Sequence, residues 1–193
     1  MKHLLLPLAL CLATTCVQAD QVENQINMGL EAYSNKEYQV AIDELQYAIA
    51  EIRELLNAEN AQLLPEAPEG WNASAVENNS AGMALMGGGT HMARSYDSGG
   101  KSVEVTILTG AMAGSLAMLS NPMFISNNPN MKPYRYQRYK GVQEQNDTQS
   151  KITLGIAGQI MIQLSGSGGA TQEDLEMILG MMDFAAIQAA LLQ

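Results

Sequence analysis

Cysteine is nearly absent. The 193-residue chain has two, Cys11 and Cys16, both in its opening stretch, so no disulfide or thiolate zinc site is expected in the rest of the protein. Histidine is as scarce: beyond His3 only His91 remains. A multi-histidine metal cage is therefore excluded, and a Ser-His-Asp triad would have to use that one imidazole. No serine lies in a Gly-x-Ser-x-Gly elbow. Cations are half as common as anions, 10 Lys and Arg against 20 Asp and Glu, which disfavours a role on nucleic acid. No apolar run reaches the roughly 18 residues of a membrane-spanning helix, so no integral segment is expected in the mature chain. Gly87, Gly88, Gly89 and Thr90 resemble a phosphate cradle only superficially, because no Gly-Lys-Ser/Thr follows.

The opening reads as an export signal. Met1, Lys2 and His3 form a short cationic start, Leu4 to Ala13 an apolar stretch, and Val17-Gln18-Ala19 a small-residue cleavage site. Cleavage after Ala19 removes both cysteines and leaves residues 20–193, with a bacterial periplasm as the expected compartment. Lipid anchoring at Cys16 is the lesser alternative, since Ala13-Thr14-Thr15 lacks the leucine that usually precedes a lipidated cysteine.

Hydrophobic residues at 47% with charged residues at 16% describe a globular chain. From Gln21 to Leu64 the apolar spacing is helical. Val22, Ile26, Gly29, Leu30 and Tyr33 form one stripe; Tyr38, Ala41, Ile42, Leu45, Ala48, Ile49, Ile52 and Leu56 form a second, with a break at Ser34-Asn35. The expected element is a helical hairpin over residues 20–64, then a Pro-rich linker over 65–70 and an α+β domain over 71–193. There, His91 to Tyr96 and Val103 to Ile107 alternate as a strand pair about Gly99-Gly100. Met112, Leu116 and Leu119 recur at helical spacing, and strands are expected within Tyr134 to Gln143, Ile152 to Ile156 and Ile160 to Leu164. Thr171 and Asp183 are placed to cap two closing helices, whose Met177, Met181 and Met182 are expected, like Met28 in the hairpin, to fill core space. The fold class is α+β: a helical hairpin followed by a mostly antiparallel sheet packed with helices.

Gly29, Tyr38, Ala41, Leu45 and Ala48 match the spacing of a tetratricopeptide repeat, and the resemblance covers about one repeat. It departs where Arg53 stands in place of the proline that closes such a unit. From Trp71 onward, Leu64-Pro65 to Gly70-Trp71, Arg94-Ser95-Tyr96 and Ser165-Gly166 resemble secreted bacterial proteins with a Mog1/PsbP-like α/β sandwich layout. That resemblance implies protein binding or assistance in assembly and carries over no catalytic residue.

Two clusters could carry function. The first is Lys132 to Lys140, which holds 4 of the 9 cations left after Lys2 and 3 of the 7 tyrosines. Tyr134, Arg135, Tyr136, Arg138, Tyr139 and Lys140 are the residue types that build strong interfaces. As one extended strand, the segment would have no clean core face and is expected to be exposed. It points to a non-enzymatic periplasmic binding or assembly protein that contacts another envelope component or itself, without a cofactor. The second cluster, Met83, Met86, His91 and Met92, offers thioether and imidazole ligands suited to Cu(I), and copper enters only under that alternative. A third reading is a carrier of a small apolar ligand held between sheet and helices.

Overall fold

The computed structural model describes residues 13–79, 89–110, 113, 125, 128–146 and 148–192, with side chains from residue 21 onward. The chain divides into two compact units between Glu59 and Asn60. Met83, Met86, Gly87, Gly88 and the helix expected around Met112, Leu116 and Leu119 lie outside the described residues.

The first unit is a helical hairpin. α1 (Ala13–Ser34) and α2 (Tyr38–Ala61) are joined by a short turn in which Lys36 adopts φ 64°. The helices run antiparallel, with Gln21 donating to Glu51 and Gln25 to Glu44. They touch through small residues. Ala32, Ala41 and Ala48 are buried, and a side chain on Gly29 would meet Leu45 at 2.9 Å. The sequence stripes are thus split: alanines face the other helix, while Ile26, Tyr33, Ile42, Ile49 and Leu56 stay exposed.

The second unit is α+β, built on one antiparallel sheet of eight strands. β1 (Asn72–Ala73) and β2 (Glu77–Asn78) are short pieces pairing with β3 (His91–Ser98). β3 turns through Gly99-Gly100, both at positive φ, into β4 (Lys101–Thr109). β5 (Met131–Tyr136), β6 (Tyr139–Gln145), β7 (Ser150–Ile156) and β8 (Ile160–Ser167) form a meander, and β8 closes the sheet by pairing with β4. The spatial order is β1-β3-β4-β8-β7-β6-β5, so β5 is an edge.

α3 (Gln172–Gly180) and α4 (Phe184–Leu191) pack on one face of this sheet. α3 starts at a capping box in which Thr171 and Asp174 satisfy each other's backbone N–H, and α4 starts where Asp183 accepts from the amides of Ala185 and Ala186. Met92, Ile107, Ile162 and Leu154 stand in one cross-strand row on that face, all fully buried, against Leu175, Ile178 and Ile187. Each such aliphatic side chain contributes about 2 kcal/mol. Met182 is buried with them, but Met28, Met177 and Met181 are exposed, contrary to expectation. In the nine-residue α3, Leu175, Ile178 and Leu179 already occupy the whole inward stripe.

The Pro-rich stretch expected as a linker is held against β3. The Pro65 carbonyl accepts from Tyr96 at 2.7 Å and from Arg94 at 3.0 Å, while Arg94 also pairs with Glu66. Leu64 is buried and Trp71 packs on the core. Among the described residues, no helix is long and apolar enough to cross a membrane.

Candidate functional site

The basic, tyrosine-rich segment is a hairpin, which corrects the single strand expected from the sequence. β5 and β6 are joined by a two-residue turn, Gln137-Arg138, with Tyr136 opposite Tyr139. Gln137 takes φ 52°, a left-handed conformation that costs a side-chain-bearing residue about 1 kcal/mol and is usually left to glycine. Its carbonyl accepts from Arg135 Nε at 3.1 Å, which fixes the arginine beside the turn.

The turn shifts the alternation by one step, so the two chemistries separate. Tyr134, Tyr136 and Tyr139 all face the helices. Tyr139 is buried and stacks on Phe184 with centroids 4.8 Å apart, and Tyr136 meets the same ring at 5.5 Å. Tyr134 donates to Glu176 at 3.1 Å; burial, reinforced by that carboxylate, pushes its phenol up to about 12. These tyrosines hold the hairpin to α3 and α4, and the expectation that the segment is exposed throughout does not hold.

Arg135 and Lys140 instead stand directly opposite each other on the other face, both exposed. Arg138 projects from the turn, its guanidinium 5.2 Å above the Tyr139 ring and donating to Tyr139 Oη at 3.1 Å. Among the described residues the ion pairs are Arg94 with Glu66 and Lys101 with Asp174, so none of these three cations has a carboxylate within 4.0 Å. Like charges facing each other across a strand pair oppose folding. Lys132 is separated from the group: it belongs to the opposite face, beside a 290 Å³ notch lined by amides including Gln143 and Gln145.

The sequence reading missed the neighbours of the turn. Arg138 and Tyr139 share an open depression of about 530 Å³ with Met181, Met182, Asp183 and Phe184. The helix cap Asp183 and one of two phenylalanines were the available signals, but nothing in the sequence pairs them with Tyr139 across the fold. The depression joins an apolar floor to a cation.

β5 is also a guarded edge. A two-residue turn makes Tyr136 and Tyr139 a mutually hydrogen-bonded pair, so the alternate residues Arg135, Pro133 and Met131 turn their backbone groups outward. Pro133 has no N–H to offer there, and the outward edge is poorly suited to receive another strand.

The second cluster is not brought together by β3. His91 and Met92 are successive residues and point to opposite faces: Met92 is fully buried under the helices, and His91 is half-buried on the far face with Nδ1 unpartnered. Among the described residues, no group of three or more His, Cys, Asp and Glu side chains is arranged to hold a metal ion. No protein-family model matches this chain, and neither a curated protein nor a solved structure shows significant similarity to it.

Proposed function

We propose that the chain is a non-enzymatic, exported binding or assembly protein, and that the β5–β6 turn contacts an anionic partner in the cell envelope. The observation that carries this reading is the opposed pair Arg135 and Lys140, exposed and, among the described residues, without a carboxylate within 4.0 Å, in a chain of net charge −10. In a surface rich in acid, two facing cations are destabilising unless something outside the chain neutralises them. Arg138 adds a forked donor held above an aromatic ring, a geometry suited to a carboxylate or phosphate group. The adjoining depression, where Met181, Met182 and Phe184 lie beside Arg138 and Asp183, gives a partner's side chain a place to rest.

Calorimetric titration of the full chain with poly-L-glutamate at about 50 mM salt tests the proposal. Binding should be detectable for the wild type, weaken as salt is raised, and fall about tenfold or more in Arg135→Gln/Lys140→Gln. A wild type that binds no better than the double variant refutes it.

A further inference from the structure

Most of the exposed large apolar residues of the helical hairpin, all but Met28, Val40 and Tyr47, follow a stricter rule than a surface requires. On α2, Tyr38, Ile42, Leu45, Ile49, Ile52 and Leu56 are spaced 4, 3, 4, 3, 4, the alternation that keeps a seam along one side of a helix and packs it on another helix. None of them is buried, whereas Ala41 and Ala48, one step round the helix, are. On α1, Ile26, Leu30 and Tyr33 repeat the 4, 3 spacing.

Both seams fall on the same side of the hairpin. In an antiparallel pair, residues displaced in the same rotational sense from the contact line of each helix end up on one side, and here both seams are displaced that way. Tyr33 and Tyr38, one from each seam, have ring centroids 5.9 Å apart, and Leu45 lies over Gly29 between the helices. Of the five acidic residues of α2, Asp43, Glu44, Glu51 and Glu54 are carried by the helical period to the other side, while Glu59 takes the next seam position after Leu56 and ends the apolar run. On that other side Glu44 and Glu51 accept from Gln25 and Gln21.

We infer that this face receives the same face of a second copy, making a two-fold four-helix bundle. The nine seam residues have exposures from 38% to 62%. At about 200 Å² for each whole residue, and more for tyrosine, they present about 900 Å² per copy, against about 800 Å² per partner in a standard specific interface. A two-fold bundle needs one self-complementary patch, and a heptad seam without an acid from Tyr38 to Leu56 is such a patch even in a chain of net charge −10. Glu23 and Arg53, of opposite sign, border the face near the same end of the hairpin, so two copies aligned with their turns together bring unlike charges to the rim.

The inference rests on reading the chain as an association protein and names the partner of a different surface from the basic turn. Sedimentation of the full chain over about 1–200 µM should show a dimer that persists at about 1 M salt, because the contact is apolar. Polyglutamate binding through Arg135 and Lys140 should disappear under the same salt, so the two readings fail separately. Leu45→Glu/Ile49→Glu should weaken dimerisation about a hundredfold or more with helicity retained, while Tyr47→Glu, on the opposite side, should leave it unchanged. If the double variant loses its helicity, amide exchange of the wild type decides: protection across residues 42–56 should fall on dilution through the dissociation range. A wild type that is monomeric at every concentration overturns the inference. So does a dimer whose dissociation leaves exchange over 42–56 unaltered, the result expected if the chain's own second unit covers this face.

Discussion

Reversing one charge at the basic turn should stabilise the fold while removing binding. Lys140 is the better site of the two, because Arg135 also donates to the Gln137 carbonyl and its replacement would lose that bond. Lys140 sits between Arg135 on β5 and Gly155 on β7, so its nearest charged cross-strand neighbour is the arginine. For two unit charges at an assumed separation of about 7 Å in an aqueous dielectric, the repulsion is about 0.6 kcal/mol unscreened and about 0.25 kcal/mol near physiological salt. Lys140→Glu turns that repulsion into attraction, a swing of about 0.5–1.2 kcal/mol between those limits. For a unit of this size the midpoint of thermal unfolding should rise by about 2–4 °C. Lys140→Gln should recover about half of it.

Thermal and urea unfolding at about 50 mM and 500 mM salt is the assay, since the higher salt should shrink the gain to less than half. The cycle is closed by Arg135→Glu/Lys140→Glu, in which two like charges face each other again and the gain should vanish. Polyglutamate affinity should fall in every variant, whatever its stability. A lower midpoint for Lys140→Glu, or a gain indifferent to salt and to the sign at position 135, would refute the opposed-charge reasoning.

Three further substitutions probe the frame that presents the turn. Gly141→Ala should cost about 3 kcal/mol or more in urea unfolding, because a Cβ there would stand 1.8 Å from the Thr153 carbonyl oxygen across the β6–β7 pair. Tyr96→Phe should cost about 1–2 kcal/mol at neutral pH by leaving the Pro65 carbonyl with one donor fewer. Burial lifts the Tyr96 phenol to about 12 in the folded chain, so its share of stability is complete below the ordinary value of 10.0 and lost as pH rises from there towards 12; the variant should show a shallower alkaline decline in a pH series of unfolding. Asp174→Asn should cost about 1 kcal/mol at pH 7. Burial alone would raise the Asp174 carboxyl, but hydrogen bonds from Thr171 and Lys101 hold it below its ordinary 3.8; the contribution is present above that value and lost as pH falls through the lower folded one, so variant and wild type should converge in strong acid.

Element types were legible where local chemistry is strong. The caps at Thr171 and Asp183 and the Gly99-Gly100 turn are all readable, because each satisfies backbone groups or a positive φ with a residue suited to it. β1 and β2 were not, since two residues leave no period to detect. On β4 the alternation suggested one buried face, yet Thr106 and Leu108 are buried as well, which no single-strand pattern records.

The turn at Gln137-Arg138 shows why the candidate site was only half legible. Neither residue is a usual turn former, so nothing local marks a reversal, and unbroken alternation then mixes tyrosines and cations on both faces. A mixed pattern on both faces is itself information. Inserting a two-residue turn between Tyr136 and Tyr139 is a change that gathers all three tyrosines on one face and leaves Arg135 and Lys140 opposed on the other. Chemical separation of the faces can thus locate a reversal that propensity hides. The same test applies to the helical hairpin, where one broad apolar stripe on α2 contains two narrower ones: alanines at 41 and 48 that let α1 approach, and a 4, 3 seam of larger residues that two helices alone are too few to cover. In both places the sequence specifies more faces than the contacts within that unit use, and the surplus marks where association is to be sought.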